Sequence, residues 1–111
     1  MITTETANDI LFIKIDTDVL DASNSSEFKD QTTNIIAGHS KVIMDMGGLN
    51  FIDSSGLGAI LSCQRSCNEN NGKLKLFAIS KTVRTLFELV RMHKVFDIYN
   101  TKEEALAAFN A

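Results

Sequence analysis

The sequence predicts an α/β fold with a mixed, mostly parallel sheet of about four to five strands and about four helices. Short apolar runs alternate with stretches in which apolar residues recur at spacings of three and four. A helix between two strands makes a crossover, and crossovers join parallel strands. The first two strands have no helix between them, only a turn at Asn8-Asp9, so they are expected to form an antiparallel pair at one edge.

The first 46 residues predict two strands, a helix and a third strand. Residues 2–6 and 10–15 are rich in branched and aromatic side chains. A helix is expected to begin at Asn24-Ser25-Ser26-Glu27, where Asn24 is a capping-type residue and Glu27 follows three positions later. Its apolar face would carry Phe28, Thr32, Ile35 and Ile36, with Gly38 as the stop. Residues 41–46 then read as a central strand.

The middle of the chain repeats the strand–helix alternation. A helix is predicted from Ser54 to about Asn70, closed by Asn70-Asn71-Gly72. Its apolar stripe would consist of Leu57, Ile60, Leu61 and Gln64. Residues 74–79 predict the next strand.

The last third predicts two helices with a short strand between them. Ser80 or Thr82 could cap the first helix, whose apolar positions are Val83, Leu86, Phe87 and Val90. Residues 96–99 form the short strand. Thr101-Lys102-Glu103-Glu104 is a capping box, and it leads into the apolar residues Ala105, Leu106 and Phe109.

Length and composition limit the possible functions. A chain of 111 residues suits one domain covering 1–111, and 44% hydrophobic with 23% charged residues is ordinary for a soluble one. The net charge of −3 argues against nucleic-acid binding, which needs clustered Lys and Arg. No apolar run approaches the roughly 18 residues of a membrane span, and residues 1–8 do not resemble a signal peptide. We therefore expect a cytoplasmic protein with no nucleic-acid or membrane partner.

The segment from Asp53 to Gly58, Asp-Ser-Ser-Gly-Leu-Gly, opens the predicted middle helix. Asp53 can cap the first N–H groups of this helix, which lack intrahelical partners and attract negative charge. Gly56 and Gly58 each lower helix propensity by about 1 kcal/mol relative to Ala. Such glycines allow another element, or a partner, to approach the backbone closely.

Two interpretations of this segment remain open on local chemistry alone. In the first, Asp53, Ser54 and Ser55 only cap the helix, and the glycines allow tight packing. In the second, an exposed serine hydroxyl is a phosphorylation site, because a helix N-terminus tolerates the added charge of about −1.5 to −2 and a docked partner would meet it.

The segment Phe51-Ile52-Asp53-Ser54-Ser55-Gly56-Leu57-Gly58 resembles the phosphorylation loop of the STAS domain of bacterial anti-sigma factor antagonists. The resemblance covers essentially the whole chain. It extends to Leu20-Asp21-Ala22-Ser23 before the first helix, to the strand at 41–46, and to the C-terminal stretches 87–89, 95–99 and 103–106.

This resemblance implies a partner switch. Ser54 matches the serine that the partner anti-sigma factor phosphorylates as a kinase, and Ser55 is the secondary candidate. Asp21 matches an acidic residue near the loop. The expected partner surface adds Asp53, Gly56, Leu57, Gly58, Ser23 and Asn24. The unphosphorylated protein would bind the anti-sigma factor, the phosphorylated protein would release it, and a serine phosphatase would reset the cycle.

The chain departs from the family pattern at two places. Asp18-Val19-Leu20-Asp21 stands where Gly-x-Leu-Asp is common, which adds an acid beside the expected interface. Arg91-Met92-His93 stands where a Gly often follows the third helix, which affects only a helix end.

Three other functions are each suggested by part of the sequence. A serine hydrolase is disfavoured because the motif is not Gly-x-Ser-x-Gly and neither His39 nor His93 is placed as a base. A receiver domain phosphorylated on Asp45, with Asp16 and Asp18 holding Mg²⁺, leaves the paired serines unexplained. A constitutive interaction module that is never phosphorylated is the strongest rival.

The two cysteines, Cys63 and Cys67, are interpreted as small core or surface residues. A zinc site would need more ligands than these thiols and two distant histidines. We expect no metal and no bound cofactor, since ATP and Mg²⁺ would belong to the kinase.

Overall fold

The computed structural model describes residues 1–110. Seven strands and four helices follow one another along the chain. The strands are β1 (Ile2–Ala7), β2 (Ile10–Ile15), β3 (Val19–Leu20), β4 (Lys41–Asp45), β5 (Phe51–Ile52), β6 (Lys73–Phe77) and β7 (Asp97–Tyr99). The helices are α1 (Ser25–Ile36), α2 (Ser54–Glu69), α3 (Lys81–Leu89) and α4 (Lys102–Asn110), and a single 3₁₀ turn spans Met92–Lys94.

Five of the strands form the main sheet, in the order β1-β2-β4-β6-β7. β1 and β2 are antiparallel, whereas β2, β4, β6 and β7 run parallel to their neighbours. The predicted α/β class, the mixed and mostly parallel sheet, the antiparallel edge pair and the number of helices are all confirmed.

The two faces of the sheet are covered unequally. On one face, alternate strand residues such as Ile13, Met44 and Leu76 pack in one large core with side chains of α1, α2 and α3. On the other face a small cluster of Ile10, Ile43 and Ala105 holds α4. The helix that carries the serine pair therefore lies over the better-packed face. Within residues 1–110, none of the helices has both the length and the apolar character needed to cross a membrane.

A second, two-stranded sheet lies beside the main one and was not predicted. β3 and β5 pair in parallel, with Val19 opposite Phe51 and Leu20 opposite Ile52. The N–H groups of Asn50 and Phe51 also donate to the carbonyl of Asp18, at 2.7 and 3.0 Å. A two-residue strand is too short to show a periodic pattern in the sequence. Whether it forms depends on the strand with which it pairs.

The predicted Asn24 cap of α1 is wrong in its chemistry, although the helix does begin at Ser25. The Asn24 side chain makes no cap hydrogen bond. Its Oδ1 accepts from the Asp21 N–H at 2.9 Å, and its Nδ2 donates to the Val19 carbonyl at 2.8 Å. Asn24 therefore organises the turn before the helix, because this turn offers both a donor and an acceptor within reach.

Two predicted apolar faces are displaced. The fully buried line of α2 runs through Ala59, Ile60, Cys63 and Cys67, whereas Leu57, Leu61 and Gln64 are half-buried at its flank. In α3, Val83 and Phe87 are buried, but Val90 lies past the helix end and is 44% exposed. Both errors arise because the sequence does not show how a helix is rotated against the sheet.

Two predicted caps are confirmed. Ser80 caps α3 through its Oγ, which accepts from the Val83 N–H at 3.2 Å. At the start of α4, the Thr101 Oγ1 accepts from the Glu104 N–H at 3.1 Å while Glu104 Oε1 accepts from the Thr101 N–H at 3.0 Å. This reciprocal pair is the predicted capping box.

Candidate functional site

Asp53 fixes the start of α2 and ties it to the turn before α1. One carboxylate oxygen, Oδ1, accepts from the Gly56 N–H at 2.9 Å. The other, Oδ2, accepts from the Ala22 N–H at 3.2 Å. The predicted capping role of Asp53 is confirmed, and the second bond brings the Asp21-Ala22-Ser23 turn beside the serine pair.

Gly56 is required by close packing between the first turn of α2 and the small β3–β5 sheet. A Cβ at this position would lie 2.2 Å from the Leu20 carbonyl oxygen and 2.7 Å from Ile52 Cγ1. At Gly58, in contrast, a Cβ would have no neighbouring atom within 4 Å. Packing against the β3–β5 sheet therefore explains why residue 56 is a glycine, whereas no contact within the fold requires a glycine at residue 58.

Ser54 and Ser55 occupy the first two positions of α2, and both are exposed. Within residues 1–110, neither hydroxyl is hydrogen-bonded to another protein atom. The N–H groups of a helix's first turn lack intrahelical partners and favour an anion, and Asp53 occupies only one of them with its side chain. Either hydroxyl could therefore accept a phosphate without breaking an internal bond.

The turn before α1 presents an ionised carboxylate to the same surface. Asp21 Oδ1 accepts hydrogen bonds from the Ser23 hydroxyl and, at 2.9 Å, from the Ser23 N–H. These two donors, the hydroxyl first, hold the pKa of the Asp21 carboxyl below its ordinary value of 3.8. Asp18, which replaces the common glycine, is also exposed, so the surface beside Ser54 is acidic.

An apolar groove, lined mainly by Phe51, Leu86 and Leu89, runs from Ser54 along α3. Its volume is about 360 Å³, and Asp53, Ser54, Thr82 and Thr85 line its edges. No Lys or Arg is among its lining residues. This groove was not predicted from the sequence. The sequence does contain a sign of it. Leu86 and Leu89 lie three positions apart on one side of a helix whose buried positions are Val83 and Phe87, so a second apolar face could have been predicted.

The acidic residues of the receiver-domain alternative do not gather into one site. Asp45 Oδ1 accepts from the Gly47 N–H at 2.8 Å, within its own loop. Asp16 accepts from the Thr3 hydroxyl on the edge strand. In the part of the chain that the structure describes, no three His, Cys, Asp or Glu side chains lie together as metal ligands would.

The two cysteines lie on the buried face of α2, and both are free thiols. Burial raises the pKa of Cys63 to about 11. Burial, with a smaller contribution from neighbouring Cys63, raises the pKa of Cys67 to about 12. Both thiols are therefore protonated at neutral pH, and Cys63 Sγ donates to Thr32 Oγ1 at 3.2 Å. Their positions fit the core-residue interpretation.

Known proteins resemble this chain in sequence. The family model of the STAS domain matches residues 1–105. BtrV of Bordetella bronchiseptica, named as a candidate anti-sigma factor antagonist, is 28% identical over 92 residues, which cover 82% of this chain and 79% of that protein.

Solved structures share the same architecture. An anti-sigma-factor antagonist domain protein from Planctomyces limnophilus superposes with a TM-score of 0.90 at 20% identity, covering 99% of this chain and 98% of that one. Unphosphorylated SpoIIAA gives a TM-score of 0.74 at 22% identity, with 100% and 99% coverage. Bacillus SpoIIAA in its phosphorylated form gives 0.71 at 22% identity, with 98% and 99% coverage. At these identities the likeness shows the fold.

Proposed function

The chain belongs to the STAS domain family, and from that premise we propose that it is an anti-sigma factor antagonist that works by partner switching. In the proposed cycle the unphosphorylated protein binds an anti-sigma factor, and the sigma factor is freed. The anti-sigma factor then acts as a serine kinase on Ser54, and the phosphorylated protein is released. A serine phosphatase restores the binding form.

The observation that carries this proposal is the exposed Ser54 hydroxyl at the N-terminus of α2, directly after the Asp53 cap. Ser55 is also exposed, and we assign Ser54 as the acceptor because it directly follows Asp53, at the position that matches the phosphorylated serine of the family motif. The named functions of BtrV and SpoIIAA support the same cycle.

The charges around Ser54 explain how a phosphate would act on the partner rather than on the fold. The groove offers no Lys or Arg to pair with it, and the nearby Asp53 and Asp21 carboxylates repel it. The new charge would therefore remain at the surface, where a docked partner must desolvate it. One desolvated like-charge contact costs several kcal/mol, which corresponds to more than a hundredfold in affinity.

In this proposal the protein is the substrate of a kinase and of a phosphatase, and catalyses nothing itself. It needs no cofactor of its own. Asp21, with its lowered pKa, stays ionised at any physiological pH. We propose that Asp21, Ser23 and the exposed Asp18 form the acidic side of the docking surface.

The test is intact-mass measurement with phosphopeptide mapping on the protein isolated from its native cells, during growth and under stress. We expect one phosphate on Ser54 whose occupancy changes with condition, and none in a Ser54→Ala variant. A Ser55→Ala variant should remain phosphorylated. Full phosphorylation of the Ser54→Ala variant at Ser55 would show that Ser55, and not Ser54, is the acceptor. No phosphate under any condition would favour a constitutive interaction module.

A further inference from the structure

We propose that the apolar groove lined by Phe51, Leu86 and Leu89 is the docking site for an apolar segment of the kinase that phosphorylates Ser54. This inference rests on the proposed function and extends it, because it assigns different roles to two parts of the partner-binding surface. The groove supplies affinity for the partner, and Ser54 at its edge supplies the switch.

The groove lacks an internal partner. Four large hydrophobic side chains are exposed within the described residues, and the two most exposed, Leu89 at 75% and Phe51 at 51%, both line this groove. One comes from α3 and the other from β5, so separate parts of the chain converge on one apolar surface. Exposed apolar side chains that converge in this way mark an interaction surface.

The groove is continuous with the proposed acceptor serine. Ser54 and Asp53 line the same groove as Leu86 and Leu89. A kinase that brings the terminal phosphate of ATP to Ser54 Oγ must therefore lie over this end of the groove. Its nearest apolar side chains can then be buried against Leu89 and Phe51, and its nearest cations can face Asp53 and Asp21.

The chemistry of the groove favours a protein segment over a small molecule as its occupant. A small-molecule site fixes its ligand through a few convergent polar groups. The Thr85 hydroxyl already donates to the Lys81 carbonyl at 2.9 Å, and the Asp53 carboxylate accepts two backbone bonds. The groove thus offers apolar contact with few free polar groups, which suits a protein segment.

The position of Ser54 also gives the switch its mechanism. A phosphate on Ser54 would place about −1.5 to −2 charge at the edge of an apolar contact. Closing that contact would then require desolvation of the phosphate, and no Lys or Arg lines the groove to pair with it. Phosphorylation would therefore weaken the groove contact itself, in addition to any repulsion by the partner.

The experiment compares Leu89→Asp with the matched control Val95→Asp. Both residues are exposed, but Val95, at 45% exposure, lies outside the groove. The kinase is first purified from native-cell extract by its transfer of phosphate from ATP to Ser54. Steady-state phosphorylation is then measured, with thermal unfolding to verify that both variants fold. We expect the KM of Leu89→Asp to rise at least tenfold with kcat nearly unchanged, and Val95→Asp to stay within twofold of the parent.

The alternative outcomes can be told apart. If Leu89→Asp has the parental KM, the groove is not the docking site, while the Ser54 switch stands. If both variants lose affinity equally, the effect is one of general surface charge and the groove proposal is overturned. If native cells contain no activity toward Ser54, the proposed function and this inference fail together. If the parent self-associates in sedimentation and Leu89→Asp does not, the groove binds a second copy and the kinase assignment is wrong.

Discussion

At the scale of single residues, Asp21 and Ser23 form a unit whose charge state follows from local hydrogen bonds. The Ser23 hydroxyl and N–H both donate to Asp21 Oδ1. Donors to the charged form of a carboxyl lower its pKa, and the pKa of Asp21 is lowered from 3.8. The proposed docking surface therefore keeps its negative charge without any buried ion pair.

A Ser23→Ala variant should raise the pKa of Asp21 toward 3.8 but not fully to it, because the backbone donor remains. Carboxyl chemical shifts followed through an NMR pH titration measure this directly. Ser26→Ala, at an exposed position whose side chain does not bond Asp21, is the control. An unchanged Asp21 pKa in Ser23→Ala would show that the hydroxyl does not make this bond in solution.

The same shift fixes the sign of a pH effect on stability. A carboxyl with a lowered folded-state pKa stabilises the fold above its unfolded value and loses that contribution as the pH falls through the folded value. The contribution of Asp21 is therefore complete above about pH 5, roughly one unit above the ordinary pKa of 3.8, and is lost progressively in more acidic solution. A change in partner binding with pH near neutrality therefore cannot come from the titration of Asp21.

At the scale of elements, the sequence predicts a feature well when the residues that form it are close together in the chain. The Thr101–Glu104 capping box was predicted because both partners lie within four residues. The Asn24 cap failed because Val19 and Asp21, brought close by the preceding turn, compete for its side chain. β3 and β5 were missed because their pairing joins residues about 30 positions apart.

Within the candidate site, too, the features that depend on neighbouring residues could be predicted and those that depend on distant residues could not. Asp53, Ser54 and Ser55 could be assigned from the motif and its place before a helix. The groove could not, because it exists only where β5 and α3 come together. Leu89 is not among the apolar positions predicted for its helix, and the sequence alone does not show that the rotation of α3 against the sheet leaves this side chain 75% exposed.

The two glycines of α2 give opposite predictions that test the packing of this helix. Gly56→Ala should lower the free energy of unfolding by about 1–3 kcal/mol or more, because its Cβ meets the Leu20 backbone, which cannot easily move. Gly58→Ala should raise the free energy of unfolding by about 0.5–1 kcal/mol, because it removes chain entropy from the unfolded state and meets no atom. Urea denaturation measures both.

Each glycine variant serves as the control for the other, since both introduce one methyl group into the same helix. Equal effects on stability would show that the first turn of α2 does not pack against Leu20 as described. A stabilised Gly58→Ala variant that the kinase phosphorylates poorly would indicate that this position is kept open for the partner.

At the scale of the whole molecule, the fold separates what maintains the domain from what contacts a partner. The main core lies under α1, α2 and α3, while Ser54, the acidic turn and the groove lie together at the start of α2. The surface residues among these can change charge without disturbing the core. Gly56 is the exception, because it belongs both to the motif and to the packing.

This separation predicts that phosphorylation changes binding far more than stability. A helix N-terminus favours an anion by about 0.3–1 kcal/mol, and repulsion from Asp53 opposes that gain. The phosphorylated and unphosphorylated proteins should therefore differ by less than about 1 kcal/mol in their free energy of unfolding. Their affinities for the purified kinase should differ by more than a hundredfold.

The two forms can be compared by urea denaturation and by titration calorimetry, with unphosphorylated Ser54→Ala as the control that binds but cannot switch. Ser54→Asp should weaken binding only in part, since a carboxylate carries less charge than a phosphate. A phosphorylated form that is several kcal/mol less stable would mean that the switch acts by loosening α2. The groove would then lose its partner because its shape had changed, whereas an unchanged stability leaves charge at the edge of the groove as the cause of release.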